Sequence, residues 1–279
     1  MCSEAHASLY LMPKKEECSY LAYDPGGVHR LNGGVIMFLT FKKWTAIYIL
    51  SLVGLFACFA LILWQGSAVN TSKQQALAEG PVLVIDAGHG GPDGGTVSQD
   101  GTTEAQINLP IALRMESLAN LLGVETAMTR REDVSIYSPD ASTVREKKVS
   151  DLKNRAELAS KIPGSVLISI HQNSLPGFPS VHGAQAFYNG REGAELWGSL
   201  MQEALNTTIN DRPKAPRKSG TDIYLMDRAE CPAVLVECGF LSNPEETKAL
   251  KDPVTQTKLA VILMSGTMEY LFPAQVPAA

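Results

Sequence analysis

The sequence predicts an α/β fold: a single three-layer domain, a mostly parallel mixed sheet flanked by helices, preceded by one transmembrane helix. Three observations carry this expectation. From Pro81 onward, short apolar runs alternate with stretches of helical periodicity, the pattern of a sheet with crossover helices. Trp44 to Trp64 is a run of 21 residues without a charge, and about 20 apolar residues cross a bilayer. The 279 residues, 45% of them hydrophobic, suffice for one substantial core plus that span.

The apolar run reads as an uncleaved anchor. Lys42 and Lys43 precede it, and Trp44, Tyr48 and Trp64 sit near its ends. The positive-inside rule then places the N-terminus in the cytoplasm and the rest outside. A cleaved signal peptide ending near Gly66 and Ala68 is the rival, but the run exceeds the 7–15 residues of a signal core. Residues 1–36 are mixed in character and delay this signal. They read as a cytoplasmic extension, or as lying upstream of a true start at Met37. Residues 66–80 are polar and form a linker, residues 81–273 form the catalytic region, and the tail after Phe272 is rich in proline and alanine.

Within that region Val82–Asp86 is the first expected strand. A helix follows over Glu104–Leu122, with Thr103 and Gln106 spaced as a capping box and Pro110 expected to kink it or delay its start. Val124–Thr129 is the second strand, Leu152–Ile162 a helix, Val166–Ile170 the third strand and Ala184–Tyr188 another. Ala194–Ile209 has helical spacing, Ile223–Met226 reads as a short strand and Ala233–Val236 as a strongly apolar one. Asn243 with Pro244 and Glu246, then Asp252 with Pro253, open the last two helices.

Composition excludes some functions. Net charge is −5, without the basic face of a nucleic-acid binder. Cys2, Cys18, Cys58, Cys231 and Cys238 form no Cys-x-x-Cys pair, which argues against a thiolate metal site. Cys231 and Cys238 flank one strand, too far apart to bridge, and are expected as free thiols.

The polar residues point to hydrolysis. His89 follows the first strand, His171 follows the third, and Glu237 ends the run Ala233–Val236. Strand C-terminal ends are where open α/β sheets bind ligands. Glu104 stands at a helix N-terminus. Two imidazoles and a carboxylate make a catalytic zinc set, and a second carboxylate serves as proton acceptor. Glu237 closes an apolar run, where a carboxylate is costly without a partner or a role. Taken singly, each has a plainer reading: a flexible turn, a core histidine, a carboxylate complementing a helix dipole.

Four ordered blocks bear on the choice: Val84-Ile85-Asp86-Ala87-Gly88-His89-Gly90-Gly91, Gly101-Thr102-Thr103-Glu104, Leu167-Ile168-Ser169-Ile170-His171, and Pro232 through Asn243. With them the chain resembles the zinc-dependent N-acetylmuramoyl-L-alanine amidases of the type-3 family, from about Val82 to Leu271. The resemblance implies one Zn²⁺ per domain held by His89, Glu104 and His171, with Glu237 as the catalytic carboxylate and peptidoglycan as substrate. His182 through Tyr188 and Ile223 through Met226 are similar to the spore-cortex members that prepare muramic δ-lactam. That likeness implies a muramic acid deacetylase acting on the product and a cell-envelope location, in the forespore/mother-cell intermembrane space. One departure stands out: Lys218-Ser219-Gly220-Thr221 occupies the place where many members carry an Arg-Gly pair. Residues 172–219 lack an extra-long inhibitory helix. Two other readings stay open: a catalytically silent wall-binding module, and a zinc carboxypeptidase acting on stem peptides. His182 reads as a strand-end polar residue, Arg130 and Arg155 as structural or surface pairs, and Cys238 as a packed thiol.

Overall fold

The structure is a computed structural model that describes residues 48–59 and 80–274. Residues 48–59 form a helix, α1, all of it exposed. Among the described residues no helix is long and apolar enough to cross a membrane. The ends of the expected anchor, residues 1–47 with Met37, and most of the linker lie outside the described residues.

In the larger unit the elements run β1 (Leu83–Ala87), α2 (Glu104–Leu121), β2 (Thr126–Met128), α3 (Val144–Lys161), β3 (Val166–Asn173), β4 (Gln185–Tyr188), α4 (Ala194–Thr208), β5 (Arg217–Lys218), α5 (Tyr224–Arg228), β6 (Ala233–Phe240), α6 (Pro244–Lys251) and α7 (Pro253–Leu271). The sheet order is β2-β1-β3-β6-β4-β5. All neighbours are parallel except β4 and β6, which run antiparallel. The expected mixed α/β sheet is therefore present.

Strand alternation divides the core. Leu83, Ile85, Ile168, Ile170, Val234 and Val236 point to one face, covered by α2, α4 and α7. Val84, Leu167 and Leu235 point to the other, against Ala156 and Ala159 of α3 and Leu225 and Met226 of α5. Period-two side-chain direction makes each strand contribute to both layers, which is why the runs read as continuously apolar.

The helices start where their caps dictate. The Thr103 backbone N–H donates to Gln106 Oε1 at 3.1 Å. Asn243 Oδ1 accepts from the N–H groups of Glu245 and Glu246, and Asp252 Oδ2 from that of Thr255, ahead of a proline at the first helical position in each case. Helix α2 passes straight through Pro110. The proline thus does not delay the start of the helix at Glu104.

Three expectations need correction. Helix α3 begins at Val144 rather than Leu152, because Thr143 Oγ1 accepts from the Glu146 N–H and Glu146 Oε2 from the Thr143 N–H. That reciprocal cap starts a helix whose first two turns carry little apolar signal. Ile223–Met226 is not a strand: residues 224–228 form the short helix α5, where Leu225 and Met226 pack into the core, and the β edge is supplied earlier by Arg217–Lys218. Strands β3 and β6 extend past Ile170 and Val236, so His171 and Glu237 sit within strands rather than after them.

Candidate metal centre

The site is built at the C-terminal ends of β1, β3 and β6. Pairing of β3 with β6 sets His171 directly opposite Glu237. The register shifts between His171 and Asn173, a bulge of the kind that re-aims side chains at functional sites. His89 stands two residues beyond β1, with φ +60, a left-handed conformation that is costly for a residue with a Cβ. Glu104 is the first residue of α2 and is buried.

These placements bring His89, Glu104 and His171 together: one ligand atom of each lies within 4.8 Å of the others. Glu104 takes one imidazole on each oxygen. His171 Nδ1 is 2.8 Å from Oε1 and His89 Nε2 is 3.2 Å from Oε2. The two rings meet edge to face at 5.0 Å. Gly88 permits this: a Cβ there would lie 2.4 Å from His171 Cε1 and Nε2.

A polar shell fixes each group. Glu104 Oε1 also accepts from the Gln172 N–H at 3.0 Å and Asn108 Nδ2 at 3.3 Å, and Oε2 from the Thr96 N–H at 3.1 Å. His89 Nδ1 is 3.0 Å from Asp93 Oδ2, itself 3.3 Å from Lys148 Nζ. That contact occupies Nδ1 and turns Nε2 toward Glu104, the usual role of a carboxylate behind a ligating histidine.

Beneath the site lies a buried ionic knot. Asp86 accepts from Thr129 Oγ1 at 2.7 Å, Ser169 Oγ at 2.5 Å and Arg155 Nη1 at 2.7 Å. Arg155 also donates to Asp151 Oδ2 and to the carbonyls of Ala87 and His89, each at 2.8 Å. Arg130 donates to the carbonyls of Ala87, Gly88 and Ala105. Two buried arginines thus hold the strained His89 turn from below. The expectation of structural pairing for them is met, and what they pair with is the site's own backbone.

Electrostatics follow from these contacts. Burial opposes the Glu104 charge, but hydrogen bonds from His171 and His89 hold its carboxyl far below the usual range. Burial likewise opposes protonation of His89, yet Asp93 and Glu104 raise it to about 9. The hydrogen bond from His89 depresses Asp93. Glu237 goes the other way. Burial and the Glu104 charge push it up to about 7, against the pull of the two histidines, and its Oε2 is buried with no hydrogen-bond partner.

This donor set fits a zinc ion. Two imidazole nitrogens and one carboxylate oxygen converge on one point, as in three-ligand catalytic sites that keep a fourth position open. The unpartnered oxygen of Glu237 belongs to the residue paired with His171 across β3 and β6. Asp86, Asp93 and Asn108 were not singled out from the sequence. Asp86 alone carried a signal, a carboxylate in the buried strand Leu83–Ala87. His182 is exposed and lies 3.2 Å from Asp211, outside the cluster. Cys231 and Cys238 are free and buried, and Cys238 packs in the core on the opposite face of β6.

Comparison with known proteins decides the family. Residues 83–267 match the family model for N-acetylmuramoyl-L-alanine amidases. The chain belongs to that amidase family. The germination-specific N-acetylmuramoyl-L-alanine amidase of Bacillus subtilis (strain 168) is 32% identical over 231 residues, 82% of this chain and 94% of that protein. The CwlD amidase from Clostridioides difficile, solved in complex with the GerS lipoprotein, shares the fold with a TM-score of 0.63 and 36% identity, covering 68% of this chain and 98% of that one. The catalytic domain of the amidase CwlV from Bacillus (Paenibacillus) polymyxa gives a TM-score of 0.59 at 29% identity, covering 68% and 98%. The amidase is thus an enzyme of the cell wall, and its family places it outside the cytoplasm.

Proposed function

We propose that the amidase hydrolyses the bond between N-acetylmuramic acid and L-alanine in peptidoglycan at a zinc ion held by His89, Glu104 and His171, with Glu237 as its catalytic carboxylate. One observation carries the reading: a buried carboxylate oxygen without a partner stands beside a converged His-Glu-His donor set. A zinc ion bound there supplies Lewis acidity and lowers the pKa of the attacking water. Glu237, lifted to about 7 by burial, takes the proton from that water and passes it to the departing amide nitrogen, which leaves as the amine of L-alanine. Asp93 holds His89 with Nε2 turned inward, and Gly88 leaves room for His171.

The biological setting is spore-cortex maturation. The germination-specific relative supports it through its length and identity. Removal of the stem peptide exposes muramic acid for a deacetylase acting on the product, which leads to the δ-lactam. The apolar run Trp44–Trp64 is read as an anchor holding the domain on the outer face of the membrane, in the forespore/mother-cell intermembrane space when the cell sporulates.

Mass spectrometry of peptidoglycan digested by the protein tests the reaction. Free stem peptides beginning with L-alanine and intact glycan strands are expected. Release of single D-amino acids would mark a carboxypeptidase, and no release a silent binding module. A deletion strain, in a background without a redundant amidase, is expected to make spores whose cortex lacks muramic δ-lactam.

A further inference from the structure

A cavity of about 530 Å³ lies among the loops that adjoin the catalytic segments in the chain, large enough for a ligand of several rings. Its walls are continuous with the catalytic segments. Residues 97–100 precede Glu104, whose Oε2 accepts from the neighbouring Thr96 N–H, and Val97 pairs with Thr103. Residues 174–179 follow the strand that carries His171, and residues 241–247 follow the strand that carries Glu237. The Leu241 N–H donates to the Asn173 carbonyl at 2.8 Å, and the Leu175 N–H to Ser242 Oγ at 2.9 Å.

The cavity is electrically neutral. Asp100 is its one charged lining residue, and that carboxylate is already matched by Lys251 Nζ and Ser98 Oγ, each at 2.6 Å. None of the lining residues is basic. Lys148, the cation on Asp93, belongs to α3 and does not line it. The surface mixes apolar platforms with uncharged hydrogen-bonding groups. Val97 is 59% exposed, Pro176 and Pro179 add apolar surface, and Gln99 and Ser174 supply amide and hydroxyl groups.

The two halves of the substrate differ in just this respect. A stem peptide carries several carboxylates, which need cations where they leave water. An N-acetylated saccharide is uncharged along its ring faces, presents apolar C–H surfaces edged by hydroxyls, and stacks on aromatic and proline platforms. We propose that this cavity is the saccharide subsite, taking the N-acetylated glycan on one side of the scissile amide and leaving the peptide to the other. The inference rests on the amidase reading above and adds the direction in which substrate lies across the cluster.

The test uses the zinc-loaded full chain and two probes: a peptide-free GlcNAc–MurNAc tetrasaccharide, and the tripeptide L-Ala-γ-D-Glu-meso-diaminopimelate. Val97→Asp puts a charge into the neutral cavity, and Gln99→Ala removes an amide that hydrogen-bonds saccharide hydroxyls. Both side chains are exposed, so the fold tolerates the changes, and zinc content and circular dichroism confirm that it has. NMR titration is expected to show each variant binding the tetrasaccharide about tenfold more weakly, the equivalent of 1.4 kcal/mol, with tripeptide affinity unchanged. Weakened tripeptide binding with unchanged saccharide binding would overturn the assignment in favour of a peptide subsite. Failure of the wild-type protein to bind the saccharide, or variants indistinguishable from it with both probes, would also overturn it. Product analysis on whole peptidoglycan separates this from the parent reading: a wild-type chain that releases L-alanine-terminated peptides keeps its amidase function whatever the titrations give.

Discussion

Replacing Arg155 by methionine would test the support beneath the metal centre. The guanidinium is 1% exposed and donates to Asp86, Asp151 and the carbonyls of Ala87 and His89. Methionine fills much of the volume but leaves two buried carboxylates without their cation. Breaking a buried pair on one side costs about 3–5 kcal/mol, a large share of the roughly 5–15 kcal/mol that stabilises a domain. For a domain of this size each kcal/mol moves the midpoint by about 2–4 °C, so thermal unfolding should occur roughly 6–20 °C lower. The penalty comes from an uncompensated charge, so adding Asp86→Asn to Arg155→Met should return about 1–2 kcal/mol, a coupling read from the double-mutant cycle. Zinc content should fall with stability, because the His89 carbonyl loses its donor. A midpoint lowered by less than about 2 °C, or single costs that simply add in the double variant, would show that the knot does not carry the turn.

Other outcomes follow from the same geometry. Glu237→Gln should keep near-stoichiometric zinc and lose about 10²–10⁴-fold in rate, whereas His171→Ala should lose the metal; wild-type turnover in the first, or full zinc in the second, would invert the roles. Gly88→Ala places a Cβ 2.4 Å from the His171 ring and should sharply lower zinc affinity, measured by competition with a chelator. Stability should also depend on acid. Burial opposes the Asp86 charge, but Arg155, His171 and hydrogen bonds from Ser169 and Thr129 lower it from 3.8 to about 2. Its contribution of about 2 kcal/mol is therefore complete above pH 3.8 and lost as pH falls through 2. Urea titrations of wild type and Asp86→Asn should converge across that window, and parallel curves would contradict it.

Much of this was legible in the sequence, for identifiable reasons. The apolar runs of β1, β3 and β6 announce a sheet covered on both faces, and the caps at Thr103, Asn243 and Asp252 mark helix starts to the residue. His89, Glu104, His171 and Glu237 were legible as a set because two histidines and a carboxylate follow apolar strand runs and Glu104 opens a helix. The start of α3 was hidden because Val144 to Asp151 is mostly polar, although the Thr143–Glu146 reciprocal cap was there to be read. Residues 223–226 were misread because four apolar-leaning residues fit a strand or a helical turn equally well. Apart from the Asp86 and Asp151 carboxylates, what Arg130 and Arg155 hold at the site lay beyond the sequence: these acceptors are backbone carbonyls 25 to 68 positions away, and carbonyls leave no trace in residue identity.

The position of β6 bears on how a wall-degrading protein is kept harmless while it is being made. Among the described strands β6 comes last in the chain, yet it lies between β3 and β4 in the sheet. Until it inserts, the sheet exists only as two separate pieces, β2-β1-β3 and β4-β5. Its long-range pairing is the slow kind that waits on most of the chain. The same strand delivers Glu237 opposite His171. A ribosome that stalls early, or a protease that clips the chain before residue 233, therefore yields a fragment with neither a continuous sheet nor Glu237. The strand that closes the sheet is thus also the one that brings Glu237 to His171.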